Sequence, residues 1–178
     1  MSVLHYLNQG LYCPAADAWI DPPCPVKRAI ITHAHADHAR PGCGEYWACD
    51  QSETILRQRL GRDIKIHSIN YGEEFRLGQA KLSLHSAGHV LGSAQVRIEV
   101  GDEVWLVTGD YKRCHDPSCT PFETVKCDVL ITESTFGLPI YRWKPGHEIA
   151  NEIVEWWGDE RKNPSILFCY AFTINRLL

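Results

Sequence analysis

Between residues 32 and 42 the chain reads THAHADHARPG, which crowds His33, His35, Asp37 and His38 into one short segment. Imidazole nitrogen and carboxylate oxygen both suit zinc and similar divalent metals, so the pattern H-x-H-x-D-H gathers metal ligands. In an extended segment the side chains at i and i+2 point the same way. His33 and His35 can therefore reach one ion, while Asp37 and His38, where the chain turns, suit a second. Two later residues fit the same centre. His89 lies in SAGHVLGS, where Gly88 and Gly92 allow a sharp reversal that presents the imidazole. Asp110 ends the apolar run VWLVTGD, and a carboxylate at the mouth of a buried strand can bridge two cations. The expected assignment gives His33, His35 and His89 to one ion, Asp37 and His38 to the other, and shares Asp110. Each ion keeps an open position for water, and Asp37 and Asp110 become catalytic carboxylates as well as ligands.

Such side chains need strand ends to hold them. RAIIT (28–32) reads as a short buried strand that runs directly into the histidine cluster. EEFRL, AKLSLHSA, AQVRIEV and EVWLVTGD follow between residues 73 and 110, separated by Gly78, the Gly88–Gly92 loop and Gly101-Asp102, where turns are expected. VLITES (129–134) is a further apolar strand. Two packing helices are expected. QSETILRQRL (51–60) has Ser52 as a cap, and HEIANEIVEWW (147–157) aligns Ile149, Ile153, Trp156 and Trp157 on one stripe. Strands joined by glycine-rich turns with a few helices predict a mixed α/β layered domain.

Composition sets the outer limits. The chain has 178 residues, 44% hydrophobic and 22% charged, enough for one domain with a real core or for a domain plus part of a second. A net charge of −4 gives no global attraction to nucleic acid, so a polyanion must be held by a local patch or by metal ions. Lys112 and Arg113 follow Asp110 closely enough to contact phosphates. The run Tyr141-Arg142-Trp143-Lys144 interleaves aromatic and basic residues as strand-binding surfaces do. Arg57, Arg59, Arg62 and Lys65 read instead as a water-exposed helix face. The start MSVLHYLNQG does not read as a signal peptide, and the longest apolar run, ILFCYAF (166–172), falls far short of the roughly 20 residues that span a bilayer. A cytoplasmic protein with no membrane partner is expected. Its eight cysteines should then be free thiols. Cys114, His115 and Cys119 lie close together without a C-x-x-C pair and read as loop residues rather than a zinc site.

The order of IDP (20–22), HAHADH (33–38), the glycine-flanked His89 and TGD (108–110) resembles the metallo-β-lactamase superfamily. GLYCPAADAWIDPP (10–23), SAGHVLGSAQV (86–96), TGDYKR (108–113) and TESTFGLPIYRW (132–143) narrow the resemblance to ligase-associated DNA exonucleases and the messenger-RNA 3′-end processing factors of the β-CASP group. The resemblance covers about residues 10–170. It implies the αββα sandwich of that superfamily, in its N-terminal part, over residues 1–136, and the opening of a β-CASP domain over 137–178. It makes Asp21 the carboxylate that orients a metal-binding histidine, and Glu133 a catalytic acid beside the site. It further implies two divalent ions, zinc with manganese as the alternative, and a phosphodiester split by water activated between them. The substrate it implies is nucleic acid, with DNA preferred to RNA, exonuclease action, and a functional association with a DNA ligase. An RNA-processing nuclease, a hydrolase of a thioester or lactam, and a metal-binding fragment without catalysis are the alternatives. No histidine follows His147, and AFTINRLL (171–178) departs from the family, so a shortened form of a longer enzyme is expected.

Overall fold

A computed structural model of the chain describes residues 2–159, 164–166 and 168. Most of the ILFCYAF run and all of AFTINRLL lie outside the described residues. The chain divides into two compact units, Met1–Glu133 and Ser134–Leu178.

The first unit consists mainly of two sheets. One carries β1 (His5–Leu7), β2 (Gly10–Cys13), β3 (Ala18–Ile20), β4 (Arg28–Ile30), β5 (Glu45–Cys49) and β6 (Ile66–Ile69), side by side in chain order. Its first three strands are antiparallel, and β3 to β6 are parallel. The other sheet runs β11 (Val129–Ile131), β10 (Glu103–Val107), β9 (Ala94–Val100), β8 (Ala80–Ser86), β7 (Glu74–Leu77). Period-two alternation builds it. On β8, Ala80, Leu82 and Leu84 are fully buried on one face, while on the other face Lys81 and His85 are half-buried and Ser83 between them is buried. These residues join Val96, Ile98 and Val107 in one cluster with Ile20, Ile30, Trp47 and Ile69 of the first sheet. The two sheets therefore share a single core, and truncating Leu84 to alanine should cost about 2–5 kcal/mol.

The expected two-sheet α/β architecture is the one the chain adopts, and the details differ in instructive ways. RAIIT stops pairing as a strand at Ile30, because Thr32 turns its backbone N–H to the Asp21 carboxylate instead of a strand carbonyl. The helix α1 (Glu53–Leu60) forms, but Ser52 does not cap it through its side chain. A turn of 3₁₀ helix over Asp50–Ser52 precedes it, so Ser52 already has near-helical backbone angles and its hydroxyl donates back to Cys49 O at 2.8 Å. In the second unit, α2 (Gly146–Asp159) forms where expected. Its stripe is less buried than a packing helix requires, with Trp156 and Trp157 45% and 51% exposed. The seven described cysteines are free thiols. No helix among the described residues is long and apolar enough to cross a membrane.

Candidate metal centre

Strand polarity assembles the site. Asp21 follows β3 and the histidine cluster follows β4, which runs parallel to it. In the second sheet β8 and β10 run the same way, since both are antiparallel to β9, and β11 is parallel to β10. His89, Asp110 and Glu133 follow these three strands in turn. Every expected ligand thus lies beyond the carboxyl end of a strand, the rim where parallel strands present loops to a ligand.

Asp21 organises the rim from below. Its φ of +43° lies in the left-handed region, which aspartate tolerates better than most residues. From there its carboxylate accepts three hydrogen bonds: Thr32 N at 2.8 Å, Thr32 Oγ1 at 2.5 Å and His38 Nδ1 at 2.7 Å. A carboxylate can only accept, so His38 carries a proton on Nδ1 and turns Nε2 outward. That Nε2 faces Asp110 Oδ1 at 3.4 Å and Asp37 Oδ2 at 3.7 Å.

On the other side of Asp110 three ring nitrogens converge. His33 Nε2 lies 2.9 Å from His35 Nδ1, which lies 3.3 Å from His89 Nε2. Asp110 Oδ2 stands 3.8 Å from His33 Nε2 and 3.7 Å from His89 Nε2. One ligand atom from each of the four residues falls within 4.8 Å of all the others. Three imidazole nitrogens and one carboxylate oxygen at this spacing fit a divalent ion of the zinc type.

Two glycines make the approach possible. Gly109, at φ +55°, packs so tightly that a Cβ there would meet the Thr32 side chain at 2.6 Å. Gly88, at φ +67°, would bring a Cβ within 2.5 Å of Lys112 O. Beyond it the His89 loop is tied by Ser93, whose Oγ accepts the N–H groups of His89 and Val90 at 3.0 and 3.1 Å.

Burial, then the charge of His38, drives His33 well below the ordinary imidazole pKa, so it is neutral and ready to bind metal. His38 is the opposite case. Burial disfavours its charged form, yet hydrogen bonds to Asp110 and Asp21 outweigh that and hold its pKa up at about 10. The same hydrogen bond from His38 holds Asp110 below the usual carboxylate range. Without metal, His38 is a cation between two carboxylates, so any divalent ion bound at its Nε2 would have to displace that proton.

The remaining expected residues are placed unequally. Asp37 borders the group with its side chain 74% exposed. With Glu133, Asp21, His38 and Asp110 it lines a cleft of about 270 Å³ floored by Leu11, Ile20, Val107 and Ile131. Lys112 is not a dangling cation, because its ammonium pairs with the buried Asp116 at 2.9 Å and so anchors its own loop. Arg113 is exposed. Arg142, Trp143 and Lys144 belong to the second unit. There Trp143 and Tyr141 both meet Phe136 edge-on at 5.3 and 5.1 Å, Lys144 pairs with Glu152, and Arg142 is exposed. Cys114, His115 and Cys119 form no ligand group among the described residues, and the Cys119 thiol faces Gly88 O at 3.4 Å. Arg57 pairs with Glu53 and donates to the carbonyls of Arg62 and Ile64, closing the end of α1. Two contributors were not singled out from sequence, Thr32 and Ser93. Ser93 had a readable signal, since a serine shortly after a glycine-flanked residue commonly bonds local backbone N–H groups.

Comparison with known proteins gives the chain its relatives. No family model matches the chain. It is 29% identical over 171 residues to a probable DNA ligase of Opitutus terrae, covering 95% of this chain and 17% of that protein. It is 31% identical to an RNase J-like protein of Methanocaldococcus jannaschii, across 85% of this chain and 41% of that one. With the cleavage and polyadenylation specificity factor 73 of Drosophila melanogaster it shares 40% identity over 101 residues. These similarities support an assignment to the β-CASP group of the metallo-β-lactamase superfamily. The chain spans between 9% and 41% of the length of these and similar curated relatives. A crystal structure of a protein of unknown function from Enterococcus faecalis shares the fold, with a TM-score of 0.52 and 11% identity over 74% of this chain and 39% of that one.

Proposed function

We propose that the chain carries the N-terminal metal-binding part of a phosphodiesterase acting on nucleic acid. The observation that supports this most is the division of labour at Asp110. One carboxylate oxygen faces His33 and His89, beside His35, and the other faces His38. A carboxylate so placed suits two cations rather than one. His33, His35, His89 and Asp110 would hold the first, with His38, Asp37 and Asp110 holding the second. When bound, such ions supply Lewis acidity that activates water near neutral pH and offsets charge on the phosphate under attack. The chain's own part is to orient the rings through Asp21, to keep His33 neutral, and to place Asp37 and Glu133 on the cleft wall, where a carboxylate can take up the proton that leaves the water.

A DNA exonuclease with zinc is the reading we favour, because the match to the probable DNA ligase runs through 95% of the chain. An RNA-cleaving enzyme is the second reading, favoured by the higher identity, 40% over 101 residues, to the polyadenylation factor. Metal analysis with digestion of labelled single- and double-stranded DNA and RNA decides between them. Cleavage that depends on metal and disappears in His33→Ala and Asp110→Ala is expected. Cleavage that neither substitution touches would sink the two-ion mechanism, and preference for RNA would favour the second reading.

A further inference from the structure

We infer that Thr32 is a positioning residue: its hydroxyl relays the charge of Asp21 to His33, so one carboxylate holds an Nδ1 proton on a histidine on each side of Asp110. The inference rests on the metal-centre reading above for its consequence, but its geometry stands independently.

A hydroxyl has one proton to donate. The 2.5 Å separation between Thr32 Oγ1 and Asp21 Oδ2 is that of an O–H donating to an ionised carboxylate, so the proton lies there. The lone pairs of Oγ1 are then left facing His33 Nδ1 at 3.1 Å, and only an Nδ1–H can complete that contact. The proton of the neutral ring is thereby fixed on Nδ1. Nε2 is left bare, pointing at His35, His89 and Asp110. Water offers no substitute, because the His33 side chain is 0% exposed. The opposite tautomer would put a hydrogen among the converging nitrogens and turn an Nδ1 lone pair on Oγ1, pulling the threonine proton away from Asp21.

Thr32 is held for this task from three directions. Its N–H donates to Asp21 Oδ1 at 2.8 Å. Its carbonyl accepts Ala94 N at 2.7 Å, from the first residue of β9 in the opposite sheet. Its side chain is walled by Gly109, where any Cβ would collide with it. On the far side Asp21 Oδ2 also takes His38 Nδ1 directly at 2.7 Å. The two half-sites therefore share one acceptor, directly for His38 and through a hydroxyl for His33. Ligating histidines in general donate their other N–H to an acceptor that fixes the tautomer, and removing that acceptor weakens metal binding by about 10- to 100-fold.

The test compares wild type, Thr32→Val and Thr32→Ser. Valine keeps the shape without the hydroxyl, and serine keeps the hydroxyl without the methyl. Nitrogen-15 NMR of the zinc-free chain reads the His33 tautomer, and chelator competition reads zinc affinity. We expect Nδ1–H in wild type and Thr32→Ser, loss of that single tautomer in Thr32→Val, and zinc binding about 10- to 100-fold weaker in the valine variant alone. Equal affinity and an unchanged tautomer in Thr32→Val would overturn the relay. If the valine variant does not fold, wild type still decides, because Nε2–H on His33 overturns the relay and Nδ1–H supports it. A wild-type chain that takes up no zinc counts against the metal-centre reading, while the His33 tautomer still judges the relay.

Discussion

On the Oδ2 side of Asp110, three imidazole nitrogens close on one point from rings that are buried or half-buried. On the Oδ1 side, His38 stands beside Asp37, whose side chain is 74% exposed. The first set is held by buried acceptors and by glycines that admit no side chain. The second is anchored at His38 and open to solvent at Asp37. The contrast teaches that one carboxylate can join a preorganised half-site to an adaptable one, and that the two should differ in how much a single residue matters.

The largest effect should come from the preorganised side. His89→Ala is expected to weaken binding of the first ion by more than the roughly 100-fold that loss of an outer partner produces, with nuclease activity falling in step. Asp37→Ala should cost only about tenfold, at the second ion alone, leaving the affinity for the first ion unchanged. Equal losses in both variants, read by metal titration, would break the comparison.

A smaller effect should appear in pH. The folded-state pKa of His38 is raised from 6.5 to about 10, so its charge stabilises the metal-free fold fully below pH 6.5. That contribution fades as pH rises towards about 10. Asp110 has the opposite sign, since its pKa is lowered from 3.8, and its contribution is present above that value and lost as pH falls below it. Thermal melts in chelator should therefore show greatest stability between these limits, and His38→Gln should flatten the alkaline limb. Adding zinc should reverse that limb, because the metal takes the place of the proton. The smallest effect belongs to Arg113→Ala. It should lower nucleic-acid affinity about uniformly across sequences and reduce the salt slope by about 1, leaving metal binding unchanged.

What could be read from sequence follows the range of the interactions involved. The alternation in AKLSLHSA and AQVRIEV is local, and both became strands at the expected places. The strands β1, β2, β3 and β6 have three or four residues each and, unlike β4 and β11 in RAIIT and VLITES, carry no unbroken aliphatic run to mark them. Lys112 shows a different limit. Next to Asp110 its position suggests a phosphate contact, and only the fold shows that its ammonium pairs with the buried Asp116. Ser52 fails for a related reason, since a preceding turn of helix had already taken the role a cap would play.

By itself the sequence determined the donor types and their local spacing. H-x-H-x-D-H puts His33 and His35 near one point, because that depends on a few backbone angles, and the glycines beside His89 and Asp110 announce tight turns in the same way. Only the tertiary structure decided that these turns meet, that Asp110 divides its oxygens between two sets of rings, and that Thr32 stands between Asp21 and His33. Those facts depend on the packing of two sheets across a shared core. A contact of a few ångströms between residues 21, 32, 89 and 110 is fixed by long-range packing that no local pattern encodes.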